Sequence, residues 1–156
     1  MLKYANHDIV FQEFPDEVTL AVNLSCCPNG CPGCHSAWLQ GDVGEVLTEE
    51  RLWALAESYR GEVTCVALMG GDNDPETVMH LLRSVRRRSG DALRTGWYSG
   101  RAALPPCFDP TCTDYVKTGP YRADLGPLSQ RTTNQRLYRI GRNDHSLTDI
   151  THRFWR

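Results

Sequence analysis

Cys27, Cys31 and Cys34 form a C-x3-C-x2-C set inside the stretch Asn23-Leu24-Ser25-Cys26-Cys27-Pro28-Asn29-Gly30-Cys31-Pro32-Gly33-Cys34-His35. Three thiolates from one tight loop can hold a metal centre and leave one coordination position open, whereas a closed structural site normally has four protein ligands. An open position is where chemistry happens. Pro28, Gly30, Pro32 and Gly33 favour a loop that turns sharply and brings backbone N–H groups close to whatever the sulfurs bind. Such donors stabilise the negative charge of an iron–sulfur cluster and tune its potential.

Cys26 and Cys27 are neighbours at the end of an extended run, where successive side chains point to opposite faces, so they are not expected to bind one ion together. The competing reading is a zinc knuckle with Cys26 or His35 as fourth ligand. A second ligand pair at matching spacing would favour zinc. Cys107 and Cys112 lie far downstream with four residues between them, an imperfect second half, and are read as spare thiols.

The elements that must position the loop follow from periodicity. Val18 to Leu24 is an apolar, strand-like run that places the cysteines at its C-terminal end, where ligand sites of α/β proteins gather. His7 to Phe14 alternates loosely and is expected as an edge strand or hairpin arm. Thr48 stands at an N-cap position, Glu49 and Glu50 fall in the first turn, and Leu52, Leu55, Ala56 and Tyr59 recur at helical spacing before Gly61. Glu62 to Met69 is a second β segment, with Val63, Cys65, Ala67 and Met69 on one face and Cys65 a small buried hydrophobe.

That segment ends in Gly70-Gly71-Asp72. Two glycines there allow a ligand to approach the backbone, and main-chain carbonyls with an aspartate suit an ammonium group; a plain turn is the alternative. Asp74-Pro75 starts a second helix carrying Val78, Leu81, Leu82 and Val85. Arg86-Arg87-Arg88 in its last turn reads as a solvated end opposing the helix dipole, or as a docking patch. Leu93 to Tyr98, Asp114 to Lys117 and Leu137 to Ile140 are further strands, and Pro105 to Pro110 is irregular. The β-then-α period implies a mainly parallel sheet.

The 156 residues fit one domain, 1–156, and are too few for a complete eight-unit barrel of about 250 residues. A net charge of −2 argues against nucleic acid or an anionic membrane as main partner. No stretch is long enough to span a bilayer, and Met1 to Asp8 lacks a basic segment followed by an apolar run. Seven cysteines, an odd number, fit a reducing cytoplasm.

With these residues in view, the chain resembles the radical S-adenosylmethionine superfamily, and more narrowly the activating proteins of anaerobic ribonucleoside-triphosphate reductase. Cys31-Pro32-Gly33-Cys34-His35 is similar to that family's version of the cysteine motif. Gly70-Gly71-Asp72 resembles the superfamily's glycine-rich strand end. Asp114 to Tyr121 and Thr132 to Arg136 look like family segments. Met69, Asn73, Cys107 and Cys112 depart from the pattern.

The resemblance implies an incomplete βα barrel with its core over about residues 18–140. It implies a [4Fe-4S] cluster on Cys27, Cys31 and Cys34, and S-adenosylmethionine chelating the fourth iron. Contacts to the cofactor would come from Gly33, Cys34 and His35, and Gly70, Gly71 and Asp72 would receive its amino group. It further implies reductive cleavage to a 5′-deoxyadenosyl radical that takes hydrogen from a glycine of the reductase large subunit, with flavodoxin a plausible electron donor and no side chain needed as general acid or base. Another radical enzyme of the superfamily, such as a pyruvate formate-lyase-type activase or a deazaguanine synthase, shares the cluster and differs in substrate.

Overall fold

The computed structural model describes residues 1–155. Its core is four parallel strands, β2 (Thr19–Leu24), β4 (Cys65–Met69), β5 (Arg94–Tyr98) and β6 (Tyr115–Thr118), hydrogen-bonded in that order. Their apolar runs are buried on both sides, as strands between two covered faces must be. Antiparallel strands extend the sheet at both edges. On one side lie β1 (Lys3–Val10) and the short β3 (Glu45–Val46), on the other β7 (Arg136–Ile140) and β8 (Leu147–Asp149), giving the order β3-β1-β2-β4-β5-β6-β7-β8.

The fold is thus α/β, with a mixed sheet in place of the mainly parallel one expected and, among the described residues, the two α-helices read from the sequence. The β-then-α alternation stops after α2 for physical reasons. The β5–β6 connection contains Pro105, Pro106 and Pro110, which break helices, so no helix covers that crossover. A chain leaving β6 returns through an irregular segment into β7 alongside, which enforces antiparallel pairing.

Helix α1 (Glu49–Ser58) begins at Thr48, whose hydroxyl accepts from the Arg51 N–H at 3.1 Å. Helix α2 (Pro75–Ser89) begins at Asp74, which accepts from the Thr77 N–H and hydroxyl, and ends at left-handed Gly90. One face of the sheet, with Leu20, Val22, Val66, Leu68, Trp97 and Val116, packs on Leu52 and Ala56 of α1 and Val78, Leu81, Leu82 and Val85 of α2. Each fully buried aliphatic side chain there contributes about 1.5–3 kcal/mol.

The arginine run is a solvated helix end in part: Arg87 and Arg88 are exposed and Arg86 is not. Arg87 and Arg88 pair with Glu49 of α1 at 2.6 and 2.9 Å, and Arg86 is largely buried between Asp91 and Asp114. Asp114 also takes Arg142 at 2.9 Å and the Thr95 N–H, fastening α2 to the β7–β8 turn.

The opposite face carries a smaller cluster of Phe14, Cys65, Ala67, Tyr115 and Leu137, with Met69 and Tyr98 packed against it. Val63, expected on that face, lies with the helices because β4 starts only at Cys65. Phe14 is not part of a strand. The chain after β1 crosses this face, and Phe14 stacks on Tyr115 and meets Tyr98 edge-on, against Gly96, where any side chain would overlap its ring. Phe14 closes the lower half of the face and leaves the upper half, at the C-terminal ends of the parallel strands, open.

Candidate metal and cofactor site

The open upper half is a cavity of about 520 Å³ lined by Cys27, Cys31, Cys34 and His35 from the loop after β2 and by Gly70 and Asp72 after β4. Tyr98, Gly100, Lys117, Tyr121 and Gln135 stand among its other walls. The register brings these ends together. Asn23 pairs with Met69 and Met69 with Tyr98, so the residues following each strand emerge at one level.

Backbone bonds from Cys26 N–H to the Gly41 carbonyl and from Cys27 N–H to the Leu39 carbonyl, both 3.0 Å, anchor the start of the cysteine loop. Cys26 has a left-handed backbone, φ 60°, and its sulfur lies toward Asp42 and Ser25, outside the cavity lining. The trio is separated from the fourth thiol by that turn. Gly30 and Gly33, at φ 59° and 74°, make the reversals that return Cys31 and Cys34 to the cavity. Gly33 is covered by Tyr121, whose ring also lies against His35 with centroids 5.6 Å apart.

Asp72 is the hinge pin of the site. Its buried carboxylate accepts from Ser99 Oγ at 2.6 Å, the Gly100 N–H at 2.8 Å and Asn29 Nδ2 at 2.7 Å. Asn29 Nδ2 also lies 3.5 Å from Cys27 Sγ, so one amide joins the aspartate to the first thiol of the trio. The Gly70 carbonyl accepts from Trp97 Nε1 at 2.7 Å. Gly71 is outside the cavity lining, where a Cβ would stand 2.6 Å from Val78 and 2.9 Å from Leu24. Of the strand-end trio, Gly70 and Asp72 therefore border the cavity, while Gly71 permits close packing of α2.

Sequence reasoning did not single out Lys117. Its side chain is almost fully buried under the cavity, with Nζ donating to the Ser99 carbonyl at 3.1 Å and the Gly119 carbonyl at 2.8 Å and lying over the Tyr98 ring. Burial pushes its pKa down to about 8, opposed by the nearby negative charge of Asp72 and of the cysteine thiols. The signal was a lysine on the same face as Tyr115 in a buried strand. Asn29 and Gln135 were equally silent, since their roles depend on contacts across the sheet.

The remaining cysteines are free thiols away from the lining. Burial pushes the Cys65 and Cys112 thiols up, which makes them unreactive.

The trio and its surroundings fit an iron–sulfur cluster by donor chemistry: half-buried soft thiols on one wall, an amide donor to sulfur, and a cation beneath. Among the described residues no group of three His, Cys, Asp or Glu side chains could hold a metal ion as it stands. A cluster, unlike a single zinc, takes each thiolate on a different iron.

No family model, no curated protein and no solved structure matches this chain. Among the described residues no helix is long and apolar enough to cross a membrane.

Proposed function

We propose that the chain is a radical S-adenosylmethionine enzyme that activates anaerobic ribonucleoside-triphosphate reductase, with the sheet as an incomplete βα barrel. The observation that carries this reading is the meeting of Cys27, Cys31 and Cys34 with Gly70 and Asp72 on the walls of one cavity at the C-terminal ends of parallel strands. The loop and the strand end are separate in sequence, and each is half of the motif pair that suggested the class.

Cys27, Cys31 and Cys34 would hold a [4Fe-4S] cluster and leave one iron for the methionine amino and carboxylate groups. Bound together, cluster and cofactor would supply one-electron cleavage of the sulfonium and thereby a radical able to take hydrogen from a glycine of the reductase large subunit. An external reductant such as flavodoxin, in the cytoplasm, would feed the cluster.

The protein's own contribution is placement. Asp72, with Asn29, holds the cysteine loop at a fixed distance from the end of β5. With three hydrogen bonds already on its carboxylate, two on Oδ2 and one on Oδ1, Asp72 keeps one acceptor site, on Oδ1, for an ammonium group. Lys117 puts a cation under the cavity floor, suited to a carboxylate or to the charge of a reduced cluster. Tyr98, Tyr121 and Phe154 provide aromatic walls that exclude water from a reactive intermediate.

The test is anaerobic reduction with S-adenosylmethionine and the reductase large subunit. The expected result is 5′-deoxyadenosine together with a glycyl-radical electron paramagnetic resonance signal. Nucleoside formation with a signal only on another glycyl-radical enzyme would reassign the partner, and no nucleoside at all would overturn the class.

A further inference from the structure

Lys117 brings a buried positive charge to the cavity wall that the protein itself does not neutralise. Lys3, the other lysine of the chain, pairs with Asp42 at 2.7 Å. Lys117 is 8 % exposed, and among the described residues its Nζ has no carboxylate within ion-pair distance. Two of its three N–H groups donate to the Ser99 and Gly119 carbonyls, and the third has no acceptor among the described residues. Carbonyl dipoles orient an ammonium without cancelling its charge. A charge buried in this way costs the fold free energy unless a partner of opposite sign arrives.

The surrounding groups narrow what that partner is. The negative charges that act on Lys117 most are Asp72 and then Cys31, Cys34 and Cys27, all on the cavity wall. Asp72 is engaged by Ser99, Gly100 and Asn29, and it meets Lys117 only through Ser99, whose hydroxyl it accepts and whose carbonyl Lys117 uses. Glu13, also on the wall, accepts from the Gln12 N–H. The three thiols remain. With a cluster bound they are thiolates, whose charge outweighs that of an oxidised four-iron core, and reduction adds one further electron. S-adenosylmethionine is the poorer match, because its carboxylate is outnumbered by a sulfonium and an ammonium and the whole molecule is cationic.

We propose that Lys117 is the resident counter-cation of the cluster: its ammonium faces the anionic centre on Cys27, Cys31 and Cys34, favours the more negative, reduced form over the oxidised one, and so raises the reduction potential of that centre. This rests on the cluster reading above. One electron enters from the external reductant and no bond is made or broken; the fixed ammonium stabilises the added charge. The residue that burdens the empty fold thereby eases the first electron into the loaded one.

The test is a redox titration of the anaerobic, cluster-loaded protein without S-adenosylmethionine, followed by electron paramagnetic resonance, for the unsubstituted chain, Lys117→Met, Lys117→Gln and Lys117→Arg. Iron and sulfide per chain report loading, and circular dichroism reports the fold. Both neutral variants are expected to show a tenfold lower ratio of reduced to oxidised cluster at a fixed solution potential, a midpoint lower by about 59 mV, while Lys117→Arg stays within about twofold of the parent ratio. Should one neutral variant fail to fold, the other carries the comparison. A folded neutral variant that cannot retain iron and sulfide, beside a loaded Lys117→Arg, supports the same pairing. An unchanged midpoint in a loaded neutral variant overturns the proposal: with weakened S-adenosylmethionine binding it assigns Lys117 to the cofactor's carboxylate, and with unchanged binding it leaves the lysine to its two carbonyl bonds. Loss of fold in all three variants overturns it in favour of that structural role. Absence of iron and sulfide from the unsubstituted protein would overturn the cluster reading itself, and the proposal with it.

Discussion

Replacing Asp72 with asparagine removes the pin between the cysteine loop and the end of β5. In the native site Oδ1 accepts from Ser99 and Oδ2 from both Asn29 and the Gly100 N–H. An asparagine keeps an acceptor toward Ser99 but places an NH₂ group against two donors. Asn29 can turn its amide to present oxygen, which restores one bond and withdraws the donor from Cys27. The Gly100 N–H regains an acceptor only if the new amide flips, and the Ser99 hydroxyl, which already accepts from the Arg101 N–H, then loses the acceptor for its own proton; in either orientation one donor is left unpaired, at about 1–3 kcal/mol. Adding the loss of charge on the remaining bonds, Asp72→Asn should destabilise the fold by about 2–3 kcal/mol. For a chain of this size that is a fall of about 5–10 °C in Tm. Anaerobic urea unfolding gives the stability, and alkylation rates read by mass spectrometry give the exposure of Cys27, Cys31 and Cys34. Alkylation of Cys27 should quicken most, since it alone loses an amide contact. Stability within about 0.5 kcal/mol of the parent, with unchanged alkylation, would refute the reasoning.

Lys117 makes stability depend on pH. Its folded pKa is near 8 and its unfolded value near 10.5, so between them the unfolded chain binds more protons and stability rises with pH, by up to about 3 kcal/mol. Below pH 8 the cost of the buried ammonium is fully present. Lys117→Met should abolish this rise in urea titrations from pH 7.5 to about 10; an identical rise in the variant would show that another group causes it. The two loop glycines and Gly71 should separate strain from crowding. Gly30→Ala meets open space and should cost about 1–2 kcal/mol for its left-handed backbone alone. Gly71→Ala adds overlap with Val78 and Leu24 and should cost at least about 1 kcal/mol more. Equal losses on urea unfolding would contradict the packing assigned to Gly71.

Much of the scaffold was legible in the sequence because it follows from local rules. Thr48 and Asp74-Pro75 mark both helix starts, and the apolar runs before Leu24, Met69, Tyr98 and Lys117 give the four parallel strands. The separation of Cys26 from the trio was expected from alternation at a strand end, but the structure makes it with a left-handed turn at Cys26, beyond the end of β2. What escaped depends on contacts between distant residues. Phe14 looked like part of a strand and is a plug, because its role is set by Gly96 and Tyr115 across the sheet. The arginine run was readable as a helix end, but the ion pairs it makes and the burial of Arg86 were not, because Glu49 and Asp114 lie on other elements. β3 and β8 are too short to show a period, and Asn29 and Lys117 show their purpose only once the strand ends are aligned.

The claim beneath all of this is that Cys27, Cys31 and Cys34 hold an iron–sulfur cluster with one iron left to the cofactor. Iron, acid-labile sulfide and zinc analysis of the anaerobic protein tests it directly, alongside alanine variants of each cysteine. The account predicts about four irons and four sulfides per chain. It predicts their loss in Cys27→Ala, Cys31→Ala and Cys34→Ala, and their retention in Cys26→Ala, Cys65→Ala and the Cys107→Ala/Cys112→Ala double variant. One tightly held zinc per chain without sulfide, or equal loss of metal in every variant, would contradict it.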